Sequence, residues 1–319
     1  MNYKLLYLNH KKNIDKINTE VSKVLHSSLK KEQRHYIRYI LQNNGKKLRA
    51  LLSLLLLSSL KKNISQKDII LISSIEMVHS ASLIHDDVID NACTRRSQES
   101  VNSKWGNSHA VAIGTYVYAT ALKQIHKGED LEVLGEFSKI VQRMCEGELF
   151  QLQEKKDKNI SKQRYYRIIY CKTASLFSAA TWLAGQLSQQ NKRKKNLLKH
   201  LGIQIGFLYQ LIDDVLDIID NGNTLKKEKF QDIKNEQNTF PVFIYKKNAK
   251  NKIKNLSKLT ENQIKYELNS YNVIEESMQL IKKQESKIIN ILKSLKVTKL
   301  EKEITTIIKF MVNRLISQV

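Results

Sequence analysis

Two segments place carboxylates at helical spacing inside apolar surroundings. They are Leu83-Ile84-His85-Asp86-Asp87-Val88-Ile89-Asp90 and Tyr209-Gln210-Leu211-Ile212-Asp213-Asp214-Val215-Leu216-Asp217. In each, the first and last Asp are four residues apart, so on a helix they share a face with Cβ atoms about 5–6 Å apart. Like charges so placed repel, and each pair is mildly destabilising unless a cation lies between them. Oxygen ligands of this kind suit magnesium, which keeps several waters and binds one or two carboxylates together with substrate phosphates. One such segment alone would also fit an exposed acidic helix end. Two copies, each embedded in Leu, Ile and Val, argue against that, and two such helices facing one another would hold metal and a diphosphate.

The elements that must carry these acids read as helices. Apolar residues recur at spacings of three and four from Ile14 to Leu41, and Gly45 interrupts before a second helix over Lys46–Leu60. A loop at Asn63–Gln66 leads into a long apolar helix, Asp68 to about Asp90, and a further loop covers Asn91–Ser108. Helices follow at about Ala110–His126, Leu131–Gln153, Lys162–Gln189 (broken near Cys171) and Lys194–Ile219. Asp220–Asn238 reads as a polar loop with a short helix, and helical patterns return at Asn262–Tyr271, Val273–Leu295 and Leu300–Ile316. No stretch alternates as a strand. One proline and ten glycines in 319 residues leave few interrupters, which favours an all-α protein. No fixed-period repeat and no long linker divides the chain, so the expectation is one helical domain over residues 1–319, with a motif-bearing core at about 45–241 and C-terminal helices at about 242–319.

A formal charge of +23 is the balance expected of a polyanion binder. Here the excess is mainly Lys, accompanied by Asn and Ile, and is spread over runs such as Lys11-Lys12, Lys155-Lys156 and Lys246-Lys247. All three residue types have AT-rich codons, so codon bias accounts for the pattern and no nucleic-acid partner is expected. Cys93, Cys145 and Cys171 show no metal or disulfide spacing, and a reducing cytoplasm is the expected compartment. The most apolar run, Leu51–Leu60, is shorter than the roughly 20 residues of a membrane span.

The acidic segments, with the basic residues around them, resemble the trans-isoprenyl (polyprenyl) diphosphate synthase family, and most closely the bacterial octaprenyl diphosphate synthases. The likeness runs in blocks from about Lys46 to Pro241. It implies an all-α isoprenoid-synthase fold, a single large helical domain with a central active-site cavity, and Mg2+ as cofactor. Both DDxxD motifs are complete, so the resemblance makes Asp86, Asp90 and Asp213 metal ligands and catalytic residues. Asp87, Asp214 and Asp217 become supporting acids. Gly45-Lys46-Lys47-Leu48-Arg49 is similar to the family's GKRLR block. With His79 and Arg96, Lys46 and Arg49 are thereby assigned to isopentenyl diphosphate. Arg95, the Lys172-Thr173 pair, Gln210 and Lys227 are assigned to the allylic diphosphate, Lys172 also acting in catalysis. Arg suits bidentate phosphate contacts, whereas Lys is a mobile point charge.

The chemistry so implied is ionisation of an allylic diphosphate, attack on the cation by the double bond of isopentenyl diphosphate, and loss of a proton to the departing pyrophosphate. Ala81 and Ser82, one turn before Asp86, are small where short-chain members carry a bulky aromatic, and Met77 and Val78 lie a turn deeper. The expected product is therefore a long trans-polyprenyl diphosphate of about C40, a precursor of quinone side chains such as that of ubiquinone. Homodimerisation is expected, and release of a long product leaves room for peripheral membrane contact. The pattern departs from the family at Ser97 (usually Gly) and at Gly114-Thr115 (usually Gly-Asp). Phe230 and Gln231 also depart, as do Glu236 and Gln237, which stand where Gly and Lys are usual. Three alternatives remain: a non-catalytic or weakly active subunit of a hetero-oligomeric synthase, a terpene cyclase, and a basic nucleic-acid-binding helical protein. The first generally lacks one Asp motif, and the second has no need of Lys46, Arg49 and His79.

Overall fold

The computed structural model describes residues 2–42, 45–61, 63–96, 98–154, 161–219 and 229–316. Fifteen α-helices are found among them: α1 (Tyr3–Ser27), α2 (Arg34–Gln42), α3 (Leu48–Leu60), α4 (Gln66–Ile89), α5 (Val101–Trp105), α6 (Asn107–Lys127), α7 (Leu131–Glu154), α8 (Lys162–Ile169), α9 (Ser175–Leu187), α10 (Lys192–Ile219), α11 (Gln231–Lys234), α12 (Phe240–Ala249), α13 (Glu261–Ser270), α14 (Val273–Ser294) and α15 (Thr298–Ile316). The all-α expectation holds. The described strands are two residues each, β1 (Thr94–Arg95) and β2 (Gln98–Glu99), paired antiparallel.

The chain forms two compact units, residues 1–141 with 178–199, and residues 142–177 with 200–319. Their boundaries fall within α7, α9 and α10.

In the first unit α4 is the central element, packed by α1, α3, α5 and α6. Ser65 caps it by accepting from the Asp68 backbone N–H, while Asp68 accepts from the Ser65 N–H and pairs with Lys61 at 2.8 Å. This reciprocal cap fixes where the helix begins, and hence which turn carries the acids. Leu51, Leu52 and Leu54–Leu57 of α3 are all buried, so the apolar run that is too short for a bilayer is core. Ser53 Oγ, also buried, donates to the Ala180 carbonyl at 2.9 Å and ties the end of α9 into the same unit.

The second unit holds α8, α11–α15 and the C-terminal part of α10, with α14 packed by α12, α13 and α15. Between α8 and α9 the backbone makes a π-helical turn, Tyr170–Ala174, which is the break expected near Cys171. An extra residue in a helical turn rotates the following side chains relative to the preceding ones, and such turns recur at functional sites.

Two local expectations are corrected. The periodic stretch Ile14–Leu41 is two helices, separated by Ser28–Lys30 and a 3-10 turn at Lys31–Gln33. The loop Asn91–Ser108 contains the β1–β2 hairpin and α5. All three cysteines are free, and no helix among the described residues is long and apolar enough to cross a membrane.

Candidate active site

In the first unit the basic block starts α3. Lys47 adopts a left-handed backbone (φ 47°) just before the helix, which turns the chain sharply between Lys46 and Arg49. Glu76 of α4, buried, holds that turn from below. Its Oε1 accepts from the Ala50 backbone N–H at 3.1 Å and its Oε2 pairs with Lys47 Nζ at 3.4 Å. A carboxylate at a helix start satisfies an otherwise orphaned N–H and complements the dipole.

Arg49 Nη1 lies 3.2 Å from His79 Nε2. Guanidinium is donor only, so this ring nitrogen accepts and the proton resides on Nδ1. Burial, then the positive charges of Arg49, Arg96, Lys47 and Arg95, hold the His79 imidazole well below its ordinary value. It is neutral near pH 7. Arg96, itself in the left-handed region at φ 53°, lays its guanidinium on the backbone of Gly45. A Cβ there would come within 2.5 Å of both terminal nitrogens. The four residues assigned from sequence to isopentenyl diphosphate thus fall around one start of α3, with Lys46 next to Gly45. Lys47 and Glu76 join them, and sequence reasoning missed both roles.

The first acidic motif ends α4. Asp87 is buried and takes Arg95 Nε at 2.7 Å and Nη2 at 2.6 Å. Burial opposes the charge of Arg95, but the hydrogen bonds and charge of Asp87 win and raise the guanidinium above its usual value. Asp86 is half-buried and Asp90 exposed, one turn apart, with the Asp90 N–H on the Asp86 carbonyl. The preceding His85 seats its ring over Gly114 of α6, where any Cβ would collide with the imidazole. This explains the glycine of the Gly114-Thr115 pair. Met77, Val78 and Ala81 are fully buried on α4, and Ser82 is half-buried with Oγ on the His79 carbonyl at 2.9 Å.

In the second unit the π-helical turn presents Lys172 and Thr173. Lys172 Nζ donates to Gln151 Oε1 at 2.8 Å and pairs with the buried Glu148. Gly147 permits that approach, since a Cβ would lie 2.6 Å from Cys171 Cβ and 2.9 Å from Lys172 Cγ. Thr173 Oγ1 donates to Gln210 Oε1 at 2.8 Å, and Gln210 Nε2 donates to Asp214 Oδ1 at 2.9 Å. Asp214 Oδ2 accepts from the Tyr165 hydroxyl at 2.6 Å and the Phe240 N–H at 3.0 Å. Burial pushes the Asp214 carboxyl up to about 6 against the pull of these three donors, from Tyr165, Gln210 and Phe240. Burial first, then Asp214, raises the Tyr165 phenol well above its usual value. Asp217 is buried and accepts from the Asp232 N–H at 3.2 Å, holding the start of α11. Asp213 alone of these three acids is only half-buried. Lys227 lies outside the described residues.

The six acids therefore divide by environment. Asp87, Asp214 and Asp217 are buried and hold neighbouring groups, while Asp86, Asp90 and Asp213 reach the surface. Among the described residues no three His, Cys, Asp or Glu side chains converge into a metal cluster. Magnesium does not require one, because it is commonly held by one or two carboxylates, waters and substrate phosphates. The Asp86–Asp90 face fits that donor set. In the altered block, Glu236 stands at φ 55°, a left-handed conformation natural to the glycine expected there.

An all-α fold that carries two Asp-rich helical segments is what the resemblance implies, and comparison with known proteins agrees. Residues 30–280 match the model of the polyprenyl synthetase family, and the chain belongs to that family. It is 32% identical over 204 residues, 64% of this chain and 63% of the other, to octaprenyl diphosphate synthase of Escherichia coli (strain K12). That match spans less than two thirds of the relative's length. Component 2 of heptaprenyl diphosphate synthase from Bacillus subtilis (strain 168) is 30% identical over 285 residues, covering 87% of this chain and 81% of the other. The crystal structure of a decaprenyl diphosphate synthase from Rhodobacter capsulatus superposes with a TM-score of 0.89 at 21% identity, covering 98% of this chain and 99% of that one. This last likeness establishes the fold.

Proposed function

We propose that the chain acts as one synthase domain that condenses isopentenyl diphosphate with an allylic diphosphate to make a long trans-polyprenyl diphosphate. The observation that carries this reading is the division of the six acids, which leaves Asp86, Asp90 and Asp213 accessible while Asp87, Asp214 and Asp217 are buried and hold neighbouring groups. When bound, Mg2+ supplies neutralisation of the charge that grows on the departing diphosphate. Asp86, Asp90 and Asp213 would hold it. Arg95, Lys172, Thr173 and Gln210 bind the allylic diphosphate and fix its leaving oxygens, a preorganised electrostatic role.

Lys46, Arg49 and Arg96 bind the diphosphate of isopentenyl diphosphate. Neutral His79 contributes a donor from Nδ1 without adding charge. The allylic C–O bond breaks to give a carbocation and pyrophosphate, the isopentenyl double bond forms the new C–C bond, and the proton lost next passes to pyrophosphate. No side-chain nucleophile is required. Small Ala81 and Ser82 above Met77 and Val78 on α4 support elongation to about C40, a length suited to quinone side chains.

Homodimerisation is supported by an exposed, uncharged face of α6 (Val111, Ala112, Thr115 and Ala119). The match to a protein named as a component of heptaprenyl diphosphate synthase favours a second reading, a subunit that needs a partner chain. Incubating purified protein with Mg2+, labelled isopentenyl diphosphate and farnesyl diphosphate tests both. Incorporation into an acid-labile prenyl product supports the synthase. No incorporation over a range of metal and detergent concentrations favours the partner-dependent subunit, and a cyclised hydrocarbon would sink both.

A further inference from the structure

Tyr165 belongs to none of the motifs read from the sequence, yet its hydroxyl is aimed into the second acidic segment. Its ring is buried against Phe240, at 6.2 Å between centroids, and Phe243, at 5.2 Å. From that packing the phenolic hydroxyl donates to Asp214 Oδ2 at 2.6 Å. Asp214 is 3% exposed and faces away from solvent. Its other oxygen takes Gln210 Nε2, and Gln210 Oε1 takes the Thr173 hydroxyl. A chain of four side chains thus runs from α8 through α10 to the π-helical turn.

The chain also has a direction. Because Asp214 accepts at both oxygens, Gln210 must turn its amide nitrogen towards it and its carbonyl towards Thr173. Without Asp214 held in place, the Gln210 amide could flip and reverse what it offers. The close approach of α10 to the turn allows this register, since a Cβ at Gly206 would collide with the Ala174 backbone.

We infer that Tyr165 is a positioning residue for the allylic-diphosphate side of the site, acting through Asp214 to fix the orientation of Gln210 and Thr173. The inference rests on the proposed assignment of Gln210 and Thr173 to the allylic diphosphate. Tyr165 touches no substrate in this account. Its effect is on binding geometry, so it separates the two substrates: the isopentenyl groups at Lys46, Arg49, His79 and Arg96 are outside the chain of bonds.

The test is Tyr165→Phe, which keeps the buried ring and deletes only the hydroxyl, with Tyr166→Phe as a neighbouring control. Calorimetric titration of wild type and both variants with farnesyl thiodiphosphate, whose C–S bond does not ionise, in Mg2+ reads the allylic side without turnover. Titration with isopentenyl diphosphate reads the other side. Tyr165→Phe is expected to weaken the thiodiphosphate about tenfold, the equivalent of about 1.4 kcal/mol, while isopentenyl affinity stays within about twofold and Tyr166→Phe matches wild type. Unchanged thiodiphosphate affinity overturns the inference, as does equal weakening of both ligands or a loss that follows the melting temperature. A wild type that binds the thiodiphosphate but makes no product would refute the synthase reading alone and leave this inference to be decided by the titrations.

Discussion

Glu76 offers the sharpest test of how the turn at Lys46–Arg49, proposed to bind isopentenyl diphosphate, is held. Glutamine at this position keeps an acceptor for the Ala50 N–H but removes the charge opposite Lys47. At 3.4 Å, with side chains only 10% and 4% exposed, the gross attraction is about 5 kcal/mol at an effective dielectric near 20. Much of that offsets the desolvation of the two ions. Removing one partner of a buried pair costs about 3–5 kcal/mol, and the long lysine stem recovers part of it by carrying its ammonium towards water. Glu76→Gln should therefore lose about 2–3 kcal/mol, and Glu76→Ala about 1–3 kcal/mol more because the Ala50 N–H is orphaned. Urea unfolding followed by circular dichroism measures both, and calorimetry gives the ligand affinities. Isopentenyl diphosphate should bind about fivefold more weakly or worse, a change of about 1 kcal/mol, with farnesyl thiodiphosphate little affected. A loss below about 1 kcal/mol with binding intact would refute the reasoning, as would an alanine variant no worse than the glutamine one.

Three further outcomes follow from the same geometry. His79 has a folded-state pKa below its unfolded value of 6.5, so its contribution is complete above 6.5 and is lost as pH falls towards the folded value. The slope is at most about 1.4 kcal/mol per pH unit; His79→Gln should flatten it in melts taken across that range, and identical slopes would contradict the assignment. Gly147→Ala must push α7 from the π-helical turn, costing about 1–3 kcal/mol and weakening the allylic ligand, whereas unaltered affinity would remove Gly147 from the account of Lys172. Ala81→Phe on α4 should shorten the product while leaving isopentenyl affinity unchanged, and an unaltered product length by chromatography would exclude this face of α4 as the length determinant.

Much of this arrangement is legible in the sequence because it is carried by short spacings. The two Asp-rich turns, the basic start of α3 and the break at Cys171 all lie within local windows where helical periodicity or its interruption can be read. The break at Ser28–Lys30 has neither glycine nor proline and keeps the apolar spacing on both sides, so nothing local announces it. Two-residue strands are too short to alternate. The residues that hold the site are harder still. Glu76 and Tyr165 meet partners 26 and 49 positions away, and a buried Glu or Tyr carries no sign in sequence of which distant backbone will need it. Glu236 shows the opposite failure: the sequence marks a departure from the family's glycine, but only the backbone reveals that the left-handed turn persists.

Chromatography of the dephosphorylated prenols from a farnesyl diphosphate reaction tests the proposed elongation to a long product most directly. An all-trans prenol of about C40 is expected as the main end product. Material that stops at about C15 to C20 would contradict it.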